Sequence, residues 1–171
     1  MKKFLPILLL AFVGLFIFSC KDDDTDYDTY SKSTDATGTF TSAGNWTLSL
    51  DIRIESTDVV LVYRRVGNTW QSIPKTYYLD DVSGYPTGRE LDYNFDFNTQ
   101  EVNITTAANF NQQTQMSPSE ATQYLSNQTF RIVLVPASAG KNINTVDKTD
   151  YNAVIKYYNI DESRIKTYSF K

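Results

Sequence analysis

Histidine is absent from this chain of 171 residues, and cysteine occurs once. Without histidine there is no Ser-His-Asp or Cys-His nucleophilic site, and no zinc, copper or iron site built on imidazole ligands. A single cysteine cannot form an internal disulfide, so redox chemistry on a cysteine pair is excluded as well. The composition therefore predicts no metal site and no cofactor.

Positive charge is also in short supply, since 16 lysines and arginines stand against 20 acidic residues and the net charge is −4. The excess acid is concentrated in residues 21–28, which hold one lysine and five aspartates, so the rest of the chain is close to neutral. No basic patch marks a nucleic-acid surface, and we expect no nucleic-acid partner.

A long apolar run occurs only at the start of the chain, from Phe4 to Phe18, after two lysines. A run of 15 residues is short for a membrane span, which takes about 20. It is typical of a secretion signal peptide, here residues 1–19. The alternative is an anchor that stays in the membrane, but the run stops at Ser19 and acidic residues follow at once.

The lone cysteine stands at the end of this run, in the sequence Ile17-Phe18-Ser19-Cys20. This resembles the lipobox of bacterial lipoproteins, which implies that Cys20 is lipidated and becomes the first residue of the mature protein. Phe18 departs from the pattern, where a smaller residue is usual, and is similar to the looser lipoboxes of Bacteroidota. The cluster Lys21-Asp22-Asp23-Asp24 resembles the signal that sends lipoproteins of that phylum to the outer leaflet. The resemblance implies an outer-membrane protein that faces the cell exterior.

The segment after the cysteine is hydrophilic. Residues 21–38 contain no aliphatic side chain larger than alanine, so we expect residues 20–38 to form a flexible acidic tether. Aspartates at alternate positions from Asp22 to Asp28 suggest calcium, but an EF-hand loop that begins at Asp22 needs glycine and glutamate where Tyr27 and Ser33 stand. An export signal and a solvated tether explain this composition better.

Alternation of apolar and polar residues predicts strands in the rest of the chain. One lies over residues 46–55 and another over 91–97, each with one apolar face. The segments DVVLVYRRV at 58–66 and QTFRIVLVP at 128–136 each contain a continuous apolar run, as in strands covered on both faces. Gly67-Asn68 predicts a hairpin turn after the first of these runs.

Further elements complete the pattern. We expect strands at 70–73 and 101–106 and a loop at DDVSGYPTGRE (80–90), while RIKTYSF at the end of the chain would close a sheet edge. Ser117-Pro118-Ser119-Glu120 is a capping box that predicts a short helix to about residue 125. A second helix is predicted over residues 150–158, where the apolar side chains share one stripe.

These elements predict a single domain over residues 39–171, since about 130 residues suffice for one core. The fold class is mostly β, an antiparallel β-sandwich of the immunoglobulin-like or jelly-roll type with one or two short helices. The spacing of the strands leaves the choice between these two topologies open.

Several segments also resemble a group of short Bacteroidota lipoproteins whose function is not established. The likeness is carried by DVVLVYRRVGNTWQSIP, LDYNFDFN, QTFRIVLVPA and YNAVIKYY, and it covers most of residues 58–158. Because the function of that group is not established, the resemblance assigns no functional residue to this chain. Some such sequences are labelled dihydrolipoamide dehydrogenase. This chain has neither the G-x-G-x-x-G turn nor the cysteine pair that such an enzyme needs.

Carboxylates are the catalytic groups that remain. Asp92 and Asp96 share a strand face, as do Asp51 and Glu55, but each pair is about 13 Å apart along the backbone. Glycosidase carboxyl groups lie about 5–5.5 or 6.5–9.5 Å apart, so solvated sheet faces are the better interpretation. We interpret Asp80 and Asp81 in the loop mainly as turn residues, and only secondarily as candidates for acid-base chemistry or metal binding.

Aromatic side chains divide into core and surface candidates. We expect five of them to belong to the core: Trp46, Tyr63, Tyr93, Phe95 and Phe97. The segment from the hairpin through the loop is the predicted ligand-binding region, because exposed aromatic side chains beside polar residues often grip sugars and proteins. Its candidate residues are Trp70, Tyr77, Tyr78, Tyr85 and Arg89.

The sequence thus predicts a lipoprotein that is held in the membrane through lipid on Cys20 and presents a non-catalytic binding or accessory domain. Its expected partner is an outer-membrane protein or a glycan. One alternative is a carboxylate-based polysaccharide hydrolase. Another is a purely structural subunit of an outer-membrane complex.

Overall fold

The computed structural model describes residues 32–137 and 145–171, and these form two stacked β-sheets with few helices. The predicted mostly-β fold class is confirmed: nine strands in the described part of the chain build an open β-sandwich. The signal peptide, Cys20 and the cluster Lys21 to Asp24 lie outside the described residues.

The first sheet has five strands in the order β4-β3-β8-β1-β9. Its pairings are antiparallel except for the one between β1 and β9, which is parallel. The strands are β1 Lys32–Gly38, β3 Val59–Val66, β4 Thr69–Ser72, β8 Gln128–Val135 and β9 Lys166–Ser169.

The second sheet has four antiparallel strands in the order β2-β7-β6-β5. They are β2 Thr47–Asp51, β5 Lys75–Tyr78, β6 Glu90–Phe97 and β7 Glu101–Ala108. Three of them follow one another as a meander, and β2 joins from outside it. The chain crosses between the sheets after β1, β2, β4 and β7.

Two α-helices and one short 3-10 helix complete the described domain. Helix α1, Pro118–Tyr124, starts with the predicted capping box, in which Ser117 and Glu120 bond each other's backbone amides. Helix α2, Tyr151–Tyr158, is capped by Asp150 and ends at Asn159 in the left-handed conformation. The 3-10 helix, Glu162–Arg164, leads into β9.

The main core lies between the sheets. Its fully buried side chains come from both: Ala36, Val62, Phe130 and Ile132 from the first sheet, and Leu91, Tyr93, Val102 and Ile104 from the second. A smaller cluster lies on the outer face of the first sheet, where helix α2 covers the centre of β3 and β8. That third layer explains why β3 and β8 each contain a continuous apolar run and not an alternation of apolar and polar residues.

One domain boundary differs from the sequence prediction. The sequence predicts that residues 32–38 belong to the flexible tether, but they form β1, which lies between β8 and β9 inside the first sheet. Pairing on both sides satisfies the backbone of this polar segment, and the small side chain of Ala36 is fully buried. The folded domain therefore includes residues 32–38, which the prediction placed outside it.

The predicted aromatic core is correct for Tyr63 and Tyr93, which are fully buried. Trp46 and Phe95 are half-buried and pack against the main core. The prediction is wrong for Phe97, which is 42% exposed at the end of β6 and stacks on Phe95. Alternation continues to the end of the strand, but the opposing sheet does not cover that position.

Candidate binding site

The predicted ligand-binding segment does not form one surface. Trp70 lies on β4 in the first sheet, whereas Tyr77 and Tyr78 lie on β5 in the second. Tyr78 is 75% exposed, but Arg89 is only 1% exposed and belongs to the interior. Tyr85 is half-buried, and its hydroxyl donates to the carbonyl oxygen of Met116 at 3.2 Å. Apart from Tyr78, these side chains belong to three clusters, each built around a buried arginine.

The three buried arginines are Arg64, Arg89 and Arg131, and each guanidinium lies against aromatic rings. Contact with a ring face stabilises a cation that burial has removed from water. A buried cation also needs an anion or a full set of hydrogen bonds, because desolvation of a charge is costly. The three clusters therefore differ in the group that neutralises or hydrogen-bonds each arginine.

Arg89 has a carboxylate partner. Its Nη1 and Nη2 donate to Glu120 at 3.0 and 2.7 Å, and its guanidinium lies 5.2 Å from the ring centroid of Tyr85. Glu120 also accepts hydrogen bonds from the backbone amide and hydroxyl of Ser117. The hydrogen bond between the two side chains raises the pKa of Arg89 and lowers the pKa of Glu120. Arg89 and Glu120 therefore form an ion pair without net charge, and this pair joins the loop at residues 80–90 to helix α1.

Arg131 has two carboxylate partners. Its guanidinium donates to both oxygens of Asp35 at 2.7 and 2.9 Å and to Glu162 at 2.6 Å. The ring of Trp70 lies 4.2 Å from its Cζ, and the Tyr151 hydroxyl accepts from Nη1. Burial alone would lower the pKa of Arg131, but the bonds to Asp35 and Tyr151 outweigh it and raise that pKa. Trp70 is thus part of a structural cluster that ties β1, β8 and helix α2 together.

Arg64 is the exception. It is 3% exposed, and no carboxylate forms an ion pair with it among residues 32–137 and 145–171. Its acceptors are neutral: Gln128 Oε1, at 3.0 Å from Nε and 2.7 Å from Nη2, and the carbonyl oxygen of Gln123, at 2.6 Å from Nη2. Within these described residues Arg64 donates hydrogen bonds from Nε and Nη2 and none from Nη1.

Three tyrosine rings surround this guanidinium. Their centroids lie 4.8 Å (Tyr93), 4.9 Å (Tyr77) and 5.6 Å (Tyr124) from Cζ. Burial raises the pKa of Tyr93 and of Tyr124, so both phenols stay neutral at physiological pH. The rings stabilise the cation through their faces but do not neutralise it. The cluster therefore keeps its positive charge.

A cavity of about 370 Å³ lies beside Arg64. Its walls come from the β3–β4 hairpin, from the end of helix α1 and the turn into β8, and from Tyr77 on β5. Among the described residues that line it, both charged side chains are arginines, Arg64 and Arg65. The others are neutral, and the polar ones include Thr122, Gln123, Ser126, Asn127, Gln128 and Thr129. This arrangement suits a small polar ligand with negative charge.

The strand register fixes where this cavity lies. Lys32, at the start of β1, pairs with Leu134, whereas Gly38, at the end of β1, pairs with Gln128 in the cavity wall. Six residues of strand at about 3.3 Å each separate the two ends by about 20 Å. β1 therefore begins at one end of the first sheet, and the cavity lies at the other.

The predicted carboxylate candidates mostly serve the sheets and turns. Asp92 accepts from the Thr76 hydroxyl on the neighbouring strand, and Asp96 accepts from Asn103 Nδ2 at 3.1 Å. Asp81 accepts from the Gly88 amide at 3.3 Å, in the turn role that the sequence predicts.

Asp51 and Glu55 line one wide-open cavity of about 620 Å³ together with Arg53, near the β6–β7 turn. Asp51 is held by Lys171 Nζ in an exposed ion pair. Arg53 lies between the two carboxylates in the sequence and supplies a neutralising charge nearby. No cluster of three or more metal-ligating side chains occurs in the part of the chain that the structure describes.

Sequence reasoning placed Tyr77 in a binding region but missed Arg64, Tyr124 and Gln128. A signal for Arg64 was present, because it follows Val60 and Val62 at the alternate positions of β3 that face the core. An arginine at an inward position needs a special environment. Tyr124 and Gln128 gave no such signal, since only the pairing of β3 with β8 brings them to Arg64.

Comparison with known proteins adds no family: no family model matches the chain, and no curated protein or solved structure matches it either. Within the described residues, none of the helices has the length and apolar character that crossing a membrane requires.

Proposed function

We propose that this protein is a lipoprotein that is anchored in the outer membrane through lipid on Cys20 and faces the cell exterior. The support is the order of features in the sequence: an apolar run, one cysteine, then Lys21-Asp22-Asp23-Asp24. Two or more acyl chains on one residue hold a protein firmly, at about 0.8 kcal/mol per buried methylene. Lipidation also accounts for a single thiol in an exported chain.

The domain on this anchor is a non-catalytic binding domain. The observation that carries this proposal is the cavity beside Arg64, where a buried guanidinium faces a ligand-sized space without a carboxylate partner among the described residues. The cavity wall offers a cation, aromatic faces and amide and hydroxyl groups, which are groups that hold a ligand. Among its described residues no carboxylate, histidine or lysine stands beside the hydroxyl groups to activate them as nucleophiles.

Labelling with radioactive palmitate tests the anchor. We expect label in the natural protein and none in Cys20→Ala, because only the thiol accepts the lipid. Ser19→Ala is the matched control, since alanine is also a small residue before the cysteine, and it should keep the label. Equal labelling of Cys20→Ala and the natural protein would refute the lipoprotein proposal.

Purification in mild detergent tests what the domain binds. A tagged full-length copy is taken from the native outer membrane, and co-purifying proteins are identified by mass spectrometry. A stoichiometric membrane protein would make this domain an accessory subunit. A protein that purifies alone directs the search to soluble ligands and glycans. Binding that survives when the Arg64 cavity is blocked would place the partner on another surface.

A carboxylate-based polysaccharide hydrolase is the alternative that an observation favours, because Asp51 and Glu55 line the same open cavity. Release of reducing sugar from polysaccharides by the natural protein, abolished in Asp51→Asn and in Glu55→Gln, would establish it. Turnover that is absent, or unchanged in both variants, would remove this alternative.

A further inference from the structure

We propose that the cavity beside Arg64 binds a sugar that carries one carboxylate, a uronic acid, with Arg64 Nη1 as the contact to the anion. This inference rests on the proposed binding function and names its ligand class. It concerns Arg64 and its cavity, and it does not depend on where the protein is anchored.

The charge argument comes from the other two buried arginines. Arg89 is neutralised by Glu120, and Arg131 by Asp35 and Glu162, each through a charge-assisted bond of 3.0 Å or less. Arg64 is as deeply buried but has neutral acceptors at Nε and Nη2. A carboxylate in the cavity would give Arg64 the same kind of partner, at the one nitrogen that no described residue occupies.

The charged residues that line the cavity indicate how many negative charges the ligand carries. Arg64 is one cation in the interior, and Arg65, the second charged residue of the lining, is exposed. Arg65 already donates from Nε to the Gly67 carbonyl oxygen at 3.3 Å and lies 5.9 Å from the Trp70 ring centroid. One buried guanidinium matches one carboxylate, and the two planar groups suit each other.

The sugar argument comes from the rest of the wall. Tyr77 and Tyr124 present ring surface for the C–H face of a sugar, and the hydroxyl and amide side chains around them suit sugar hydroxyls. A volume of about 370 Å³ is at the small end of ligand sites, which suits a mono- or disaccharide.

An extended peptide fits this cavity less well than a sugar. A peptide would add to a free strand edge, but β3 is paired on both sides, with β4 and β8. The remaining walls are a hairpin turn, the end of helix α1 and the turn that follows it, and the edge strand β5 contributes a single residue, Tyr77. A peptide with a free carboxylate is therefore an outcome of the test and not the ligand that we propose.

The test is isothermal titration calorimetry on the full-length protein in detergent. The ligands are short oligomers of galacturonate, glucuronate and mannuronate, the methyl ester of each, a sulfated sugar of the same length, and a tripeptide with a free carboxyl terminus. We expect at least one uronate oligomer to bind, and its methyl ester to bind about tenfold more weakly or worse, because esterification removes the charge.

Gln123→Glu is the variant that keeps the fold. Its side chain is exposed at the cavity, and only its backbone carbonyl binds Arg64, so the change adds a negative charge of nearly the same shape. We expect the uronate to bind about tenfold more weakly or worse, since like charges repel in the cavity. Gln113→Glu is the control: it makes the same change on an exposed residue outside the cavity and should leave affinity unchanged.

Three results would overturn the inference: no uronate binds, acid and ester bind equally, or Gln123→Glu and Gln113→Glu weaken binding to the same extent. If the tripeptide or the sulfated sugar binds more tightly than every uronate, the ligand class that we propose is wrong, and the tighter ligand indicates the correct class. A partner found by co-purification while every uronate fails would leave the binding function standing and reject only the uronate.

Discussion

At the scale of single residues, Glu120 connects two separate parts of the domain. It accepts from Arg89 Nη1 and Nη2 at the end of the long loop, and from the Ser117 amide and hydroxyl at the start of helix α1. The same carboxylate therefore caps a helix and neutralises a buried cation. Side chains with two such tasks are sensitive to small chemical changes.

Glu120→Gln is expected to destabilise the fold by about 3–5 kcal/mol, because it leaves Arg89 buried without its anion. Glutamine at this position can still complete the capping box, so the loss reports mainly on the ion pair. Urea denaturation measures it. Glu90→Gln, an exposed residue next to Arg89 in the sequence, should stay within about 0.5 kcal/mol. An equal effect of both substitutions would contradict the assigned role.

The same residue makes stability depend on pH. The pKa of Glu120 in the folded protein lies below its ordinary value, which is about 4.3. Its contribution is therefore complete above about pH 4.3 and is lost as the pH falls through the folded pKa. The difference in urea midpoint between the natural protein and Glu120→Gln should shrink from pH 7 to pH 3. A difference that stays constant over this range would refute the shift.

At the scale of elements, β1 shows how little apolar surface a strand needs. Its sequence, KSTDATG, contributes one fully buried side chain, Ala36, yet it pairs with β8 along its whole length and with β9 on its other side. Asp35 on β1 also binds Arg131 through both carboxylate oxygens. Backbone pairing and one ion pair hold this strand in place.

Removal of β1 should therefore prevent folding. A chain that starts at Thr39 lacks the strand between β8 and β9 and leaves Arg131 with one carboxylate fewer. We expect no cooperative thermal transition by circular dichroism. A chain that starts at Lys21 lacks only the anchor and should unfold cooperatively. Cooperative unfolding of the chain from Thr39 would show that β1 is dispensable.

This strand also shows what the sequence could and could not predict. Strands with an apolar alternation or run, such as β3, β6 and β8, were predicted near their observed bounds, and so were both helices. β1 was missed because its stability comes from hydrogen bonds to distant segments, which leave no pattern in its own sequence. The prediction of the binding site was incomplete for the same reason. The sequence indicates Tyr77 as a binding candidate, but its neighbours Arg64 and Tyr124 come from two other parts of the chain.

At the scale of the whole molecule, the domain has three layers, which enclose two separate apolar clusters. Helix α2 and the first sheet enclose one apolar cluster, and the two sheets enclose another. The carbonyl oxygen of Lys148 accepts from the buried Tyr63 hydroxyl at 2.8 Å and fixes the start of helix α2 on the sheet. The Arg64 cavity lies at the edge of this arrangement, where the β3–β4 hairpin meets helix α1.

The position of β1 has a mechanical consequence. Tension between a membrane anchor and a ligand held at the Arg64 cavity would act along β1, from Lys32 toward Gly38. The force would shear the seven paired positions of the β1–β8 ladder together, whereas force across the ladder would break its bonds one pair at a time. Single-molecule pulling should give a higher rupture force with handles at residues 32 and 67 than at 32 and 134, which face each other across the ladder. Such a domain would hold its ligand under flow.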